Sequence, residues 1–335
     1  MPRRHPLLLL VFFVMVLALL LLPAPVSTRR GAALMDLSHA PLFALVTLVS
    51  FYSLPPVLRS ARSAIAVGLF VIGVGGALEI VQELTGRSAN WLDFRANVLG
   101  VSAALLFTWA RDSAGATRGW ALRGAALAAL VAASIPSSVI LWDCWRQHRD
   151  LPMIASFEDD LELSRWRSNR ARVTRSPLHA TAGQFSFCVE MGARQYPGVY
   201  MLWPPNDWLG AVHRACGPGD AAELVVDFWL SDGPPLNVIV KVVDLNHTYR
   251  VKNDCYERPV RLSVGPSQVR ISLDEIARSP RTRLLDLSHV RLLQFYVESL
   301  ERPRTVFIDN IHLKGGASIS SRNDPSIGRT GERVQ

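Results

Sequence analysis

The sequence predicts a multi-domain chain: an all-α transmembrane bundle of about five helices over residues 1–143, then an all-β sandwich over 155–314. Three observations predict it. Long uncharged apolar runs fill the first 143 residues and then stop. Beyond them, short stretches alternate apolar and polar side chains between Pro- and Gly-rich breaks, the period of half-buried strands. All four cysteines (Cys144, Cys188, Cys216 and Cys255) follow the last apolar run.

A membrane span needs about 20 apolar residues. Five segments approach that length: 7–22, 37–54, 64–84, 94–110 and 120–142. The first, with Arg3 and Arg4 before it and Ala24-Pro25-Val26-Ser27 after it, also resembles a signal peptide. Its apolar core is long for one and Pro25 sits poorly at a cleavage site, so it reads as an uncleaved helix. Gly73, Gly75 and Gly76 in the third run, and the alanines of the fifth, offer small residues for close helix approach.

Charge sets the orientation. Residues 1–150 hold 13 arginines against 7 acids, and the remainder 23 basic against 21 acidic, so +6 of the total +8 lies in the first half. Arg3, Arg4, Arg59, Arg62, Arg111, Arg118 and Arg123 mark one side, and Arg29, Arg30, Arg87 and Arg95 the other. The richer side is expected inside, which places the chain after Asp143 outside a bacterial cytoplasmic membrane. No basic stripe with stacking aromatics is present, which argues against nucleic acid as a partner. The cysteines show no CxxC or Cys/His metal spacing. Outside the cytoplasm they are permitted to pair, in any of three ways, or to remain thiols.

Ionisable groups inside apolar segments are costly and point to function by default. Here they gather at one level. Asp36 and His39 open the second run, three apart. Glu79, Gln82 and Glu83 close the third at i, i+3 and i+4. Arg87 follows in the loop, and Asp93 and Asn97 open the fourth run. One reading is a polar clamp that fixes helix register. Others are a site for a polar headgroup or lipid-linked glycan, or a catalytic site.

The string Glu79-x2-Gln82-x4-Arg87-Ser88-x4-Asp93-x3-Asn97-x2-Gly100, preceded by Asp36-x2-His39, resembles the VanZ-like family over about residues 7–110. That family is a small helical membrane bundle, and its best-known member is associated with low-level resistance to teicoplanin. The resemblance implies that Asp36, His39, Glu79, Gln82, Arg87, Asp93 and Asn97 are the family's polar positions, and it supplies no reaction. A fifth helix and a large second domain set this chain apart from the short members.

Residues 144–154 read as a juxtamembrane linker. Strands are expected over 171–176, 184–190, 198–203, 223–231, 237–244, 247–252, 268–273, 289–298 and 304–314. A short helix is expected after Leu273, and the tail from Gly315 reads as disordered. From Phe157 to Leu313 the chain resembles the galactose-binding-like jelly rolls of carbohydrate-binding modules. Phe157-Glu158, Trp166, Gly183-x2-Ser186, Tyr196-Pro197-Gly198-Val199, Asp207-Trp208, Asp244, Asp286-Leu287-Ser288 and the closing Val306-Phe307-Ile308-Asp309-Asn310-Ile311 carry the likeness.

That resemblance implies a glycan ligand, which needs flat aromatic faces and planar polar groups. Trp203, Trp208, Asp244, His247, Tyr249 and Arg250 are the candidates. Trp229, Tyr256 and Tyr296 are further aromatics, and Tyr296 shares a face with Gln294 and Glu298. Core or rim packing is the plainer role for the tryptophans. Asp309 alternates with Phe307 and Ile311, which points it into the core, where a carboxylate must be paired or metal-bound. In similar modules such a residue, with one such as Glu158, helps hold a structural calcium; backbone N–H bonds are the alternative. No other cofactor is implied. With no GxSxG, HExxH or P-loop, a non-enzymatic envelope protein is the leading reading. The alternative is a membrane enzyme acting on a lipid-linked headgroup, with Glu79 or His39 as acid/base and Arg87 on phosphate. A transporter, with no visible repeat, comes third.

Overall fold

The computed structural model describes residues 15–16, 28–84, 91–202, 207–216, 222–248 and 250–315, the side chains of 82–84 and 216 excepted. The chain divides into two compact units, Met1–Arg146 and Gln147–Gln335. Apart from Met15 and Val16, the first apolar run lies outside the described residues, as does the tail beyond Gly315.

Four helices follow: α1 (Arg29–Ser53), α2 (Ala61–Leu84), α3 (Trp91–Asp112) and α4 (Ala116–Arg149). Arg29–Ser53, Ala61–Val81 and Ala116–Arg149 are long and apolar enough to cross a membrane. The α1 helix starts where the Thr28 hydroxyl accepts from Gly31 N at 3.0 Å. It ends before Pro55-Pro56, which cannot extend the ladder. There the Arg59 guanidinium donates to the last carbonyls, Tyr52 O at 2.7 Å and Leu54 O at 3.1 Å. Arg59 and Arg111 both lie 5.6 Å from the Tyr52 ring centroid, so two helix ends and a loop share one cationic, aromatic level.

The helix α3 packs along both α1 and α2. A Cβ added at Gly100 would lie 2.2 Å from Ala40 O, and one at Gly75 would lie 2.7 Å from the Phe43 ring. Backbones therefore approach at Gly100, while Gly73 faces open space. Along α2, Gly68 meets Val101 and Leu105, Gly75 meets Asn97 and Gly76 meets Phe94, so α2 runs antiparallel to α3. Ala40 lies on Gly100 and His39 on Asn97, so α1 runs parallel to α3. The helix α4 continues through residues 144–149, where a linker was expected. Within it Asp143 is fully buried, ion-paired with Arg29 and 3.9 Å from Arg146.

The second unit is an antiparallel sandwich. One sheet runs β3 (Ala171–Ser176), β4 (Ser186–Met191), β11 (Arg304–Gly315), β6 (Ala222–Leu230), β9 (Gly265–Ser272), with β1 (Met153–Ala155) on the far part of β11. The other runs β2 (Trp166–Asn169), β5 (Gly198–Leu202), β10 (Val290–Tyr296), β7 (Leu236–Asp244), β8 (Tyr256–Leu262). Short helices α5 (Asp160–Leu163), α6 (Trp208–Cys216) and α7 (Leu273–Ala277) lie between strands. Residues 247–252, expected as a strand, form turns where described, and β1, β2 and β8 were not anticipated. An aromatic column fills the core. Phe157 stacks on Phe187 at 4.8 Å, Trp166 lies 5.5 Å from Phe187 and 5.8 Å from Phe295, and Phe228 meets Phe295 edge-on at 5.5 Å. Cys188 and Cys255 are buried free thiols, and burial pushes both up; Cys144 is buried too.

A bulge in β11 corrects one expectation. Its register with β6 shifts between Asp309 and His312, where Asn310 adopts φ 51°. Val306 and Ile308 face the core before the bulge, and Ile311 and Leu313 after it. An extra residue reverses strand parity. Asp309 therefore points with Phe307 to the opposite face, under the 179–185 loop, and not into the core with Ile311.

Candidate functional site

The outer face of the five-stranded sheet collects polar and aromatic side chains in one registered row. Arg167 of β2 pairs with Tyr200 of β5, Tyr200 with Gln294 of β10, Gln294 with Lys241 of β7, and Lys241 with Glu257 of β8. Their neighbours along each strand (Trp166, Met201, Leu293, Val242 and Tyr256) point into the core, so alternation sends the row outward. Four strand spacings of about 4.8 Å make it about 19 Å long. Arg167 and Glu257 at its ends are exposed, and the three residues between them are half-buried.

One end of the row is held by a hydrogen-bonded triad. Lys241 Nζ donates to Glu257 Oε1 at 3.1 Å, and the Tyr296 hydroxyl donates to the same oxygen. Burial pushes the Glu257 carboxyl up, but the Tyr296 hydroxyl and the Lys241 ammonium outweigh it and hold the group below its ordinary range. The same burial and the Glu257 contact push the Tyr296 phenol up. Tyr196 stands at the rim, 53% exposed, with its ring 6.1 Å from that of Tyr296. Its φ of 55° is fixed by bonds at both ends, Tyr196 N to Glu298 O at 2.9 Å and Asn169 Nδ2 to Tyr196 O at 2.8 Å. A flat ring beside amide, guanidinium, ammonium and carboxylate groups can stack on a sugar face and bond its hydroxyls.

Three of the expected glycan residues, Trp208, Asp244 and His247, are not in this row. Trp208 is 0% exposed, one of the largest side chains of the core, so its ring is closed to a ligand. Asp244 is also wholly buried and takes the Arg283 guanidinium, with Arg283 Nη2 2.7 Å from Oδ1. Arg283 Nε bonds Asp254 Oδ1 at 2.6 Å, and this contact first of all holds the Asp254 carboxyl below its usual range. His247 Nδ1 lies 3.4 Å from Asp254 Oδ2, both side chains buried. Asp244 and His247 thus belong to a hub that ties loops together. Arg250 is exposed, while Trp203 and Tyr249 lie outside the described residues. Trp229 points outward, but the His179 ring stacks on it at 4.1 Å.

Glu158 and Asp309, offered to calcium, each receive backbone N–H groups. Glu158 Oε1 accepts from Gln184 N and Phe185 N, both at 2.9 Å. Asp309 Oδ2 accepts from Thr181 N at 2.7 Å and Ala182 N at 3.0 Å, and Oδ1 from Asn310 N at 2.7 Å. Asp227 completes the set, accepting from the Thr181 hydroxyl at 2.8 Å and Asn310 Nδ2 at 3.0 Å. Calcium takes six to eight oxygens, and these backbone donors already hold part of the carboxylates' acceptor capacity. The carboxylates pin the 179–185 loop across the six-stranded sheet, the backbone N–H alternative to an ion.

In the helical unit, His39 Nδ1 bonds Asn97 Oδ1 at 3.1 Å, and both residues are buried. Ligand atoms of Asp36, His39 and Asp93 all lie within 4.8 Å of one another. Glu79 is 7% exposed, and its Oε2 has no hydrogen-bond partner among the described residues. The sequence-predicted cluster therefore assembles at Asp36, His39, Asp93 and Asn97. The side chain of Gln82 and all of Arg87 lie outside the described residues.

Several solved structures resemble part of the chain. An exo-β-agarase is 19% identical with a TM-score of 0.39, over 49% of this chain and 25% of its own. A family 11 carbohydrate-binding module from Clostridium thermocellum, in complex with a β-1,3-1,4-mixed-linked tetrasaccharide, is 15% identical with a TM-score of 0.35, over 49% of this chain and 95% of its own. A structure described as CBM4 is 15% identical with a TM-score of 0.30, over 45% and 95%. This chain thus spans a quarter of the agarase's length. No family model and no curated protein matches the chain.

Proposed function

We propose that the protein is a VanZ-like integral membrane protein of the bacterial cell envelope whose C-terminal sandwich binds a cell-wall or lipid-linked glycan outside the cytoplasm. The registered row Arg167–Tyr200–Gln294–Lys241–Glu257, with Tyr196 at its rim, carries the glycan reading. It is the long, flat, mixed polar and aromatic surface that a sugar chain needs. The membrane reading is supported by the apolar windows of α1, α2 and α4, of which only 28%, 28% and 17% is buried. Leu69, Phe70, Ile80 and Leu127 stand more than half exposed, a surface suited to lipid. VanZ-like membership is supported by the spacing of the polar residues and by the meeting of Asp36, His39, Asp93 and Asn97.

Binding of the full-length protein in detergent to arrayed glycans and peptidoglycan fragments tests the reading. Tyr196→Ala and Gln294→Ala are expected to weaken binding at least tenfold, while Trp229→Phe on the opposite sheet leaves it unchanged. Absence of binding to every glycan and fragment would remove the proposal.

A further inference from the structure

We propose that Asp36, His39 and Asp93 bind a single divalent transition-metal ion, zinc foremost, inside the helical unit, with Glu79 as the fourth ligand. The three ligand atoms already converge within 4.8 Å, from two helices that run parallel. An ion held at about 2.0–2.2 Å from nitrogen and oxygen needs its ligands roughly 3.3 Å apart in a tetrahedral site. Side-chain adjustment suffices to reach that spacing.

The imidazole is prepared for the role. Asn97 Oδ1 accepts at Nδ1, which places the ring proton there and leaves the lone pair on Nε2. A metal-binding histidine characteristically donates its other ring N–H to a carbonyl or carboxylate, which fixes tautomer and orientation. His39 is buried and its ring stacks against Phe43, so it has little freedom to turn away.

Glu79 is the second, independent observation. It is more than nine-tenths buried, and Oε2 has no partner among the described residues. Gly75, one turn before it, faces Phe43 and Asn97. Residues four apart share a helix face, so Glu79 lies on that same face. Because α2 runs antiparallel to α3, one turn beyond the Gly75–Asn97 level is the level of Asp93. A buried carboxylate oxygen with no donor is costly, and a cation among three carboxylates and an imidazole removes that cost. The donor set also selects the ion. Imidazole favours zinc over magnesium or calcium, and no thiolate is present to favour copper(I).

The full-length protein in detergent, stripped with a chelator, is dialysed against Zn2+ and separately against Co2+. One equivalent of Zn2+ retained per chain, a rise in Tm on loading, and visible absorption from the Co2+ form are expected. Asp36→Asn, Asp93→Asn and Glu79→Gln keep side-chain shape, and each is expected to weaken Zn2+ at least tenfold and to abolish the Tm rise. Glu190→Gln, exposed on the sandwich and outside both sites, should retain the ion. Zn2+ retention no greater than a detergent blank, a Co2+ form without visible absorption, or three variants that bind as wild type would each overturn the site. The Co2+ spectrum of wild type decides the matter even where a variant does not fold. Glycan binding by the sandwich is measured separately, so the two proposals fail independently.

Discussion

At the scale of single residues, buried charges decide where this protein is vulnerable. Arg283 donates to Asp244 and Asp254 at once and also reaches the carbonyls of Asp254 and Leu284. Removing one partner of such a set strands the other's charge. Arg283→Ala is expected to cost about 3 kcal/mol in denaturant unfolding monitored by tryptophan fluorescence. Replacing Asp254 by Asn should cost less, since its carboxamide oxygen still accepts from Thr248 N, now bonded at 2.8 Å to Oδ2. The Asp254 carboxyl titrates below its ordinary range because it is bonded to Arg283. A carboxyl depressed in the folded state contributes stability that is complete above its unfolded pKa and is lost as pH falls through the folded one. Melting temperature should therefore hold from pH 7 down to about 4 and fall below that. In Arg283→Ala the acid-dependent part of the fall should shrink.

At the scale of elements, close contacts and loop pins do the equivalent work. The α1 and α3 backbones meet where Gly100 lies against Ala40 O, and no side chain fits there. Gly100→Val is expected to separate the helices, at a cost of about 3 kcal/mol or more, read as loss of monodisperse protein on size exclusion. Gly73→Ala meets nothing within 4 Å and should raise or keep the melting temperature. In the sandwich, Asp309 and Asp227 hold the 179–185 loop by its own N–H and hydroxyl groups. Asp309→Ala leaves Thr181 N and Ala182 N without their acceptor, and hydrogen exchange in that loop should rise by at least tenfold. Addition of calcium should not restore protection, because Thr181 N and Ala182 N bond the Asp309 carboxylate itself.

For the whole molecule, the prediction concerns sidedness. The proposed topology, read from the arginine bias, has the N-terminus inside. Arg59 and Arg111 gather over Tyr52 at one end of the helical unit, and Asp36, His39 and Asp93 at the other. A reporter active only outside the cytoplasm, fused after Gln335, should be active, and one active only in the cytoplasm should be silent. The opposite pattern would reverse the proposed topology and separate the sandwich from any cell-wall ligand.

The sequence by itself determined the two-part architecture and set Asp36 with His39, and Asp93 with Asn97, each pair on one helix face, while only helix packing brought the two pairs together. Long apolar runs and strand alternation are local patterns, and residues three or four apart on a helix must share a face, so no distant pairing is needed to read them. It could not determine the polar row on the five-stranded sheet. Arg167, Tyr200, Gln294, Lys241 and Glu257 are scattered between positions 167 and 294, and only strand register aligns them. Nor could it place Trp208, Asp244 and His247, whose types suit a ligand surface as well as a core. Burial is set by what packs over a side chain, and that is a tertiary fact. Asp309 shows the limit most clearly: one extra residue in β11 reversed its direction, and nothing in the local alternation marked the bulge.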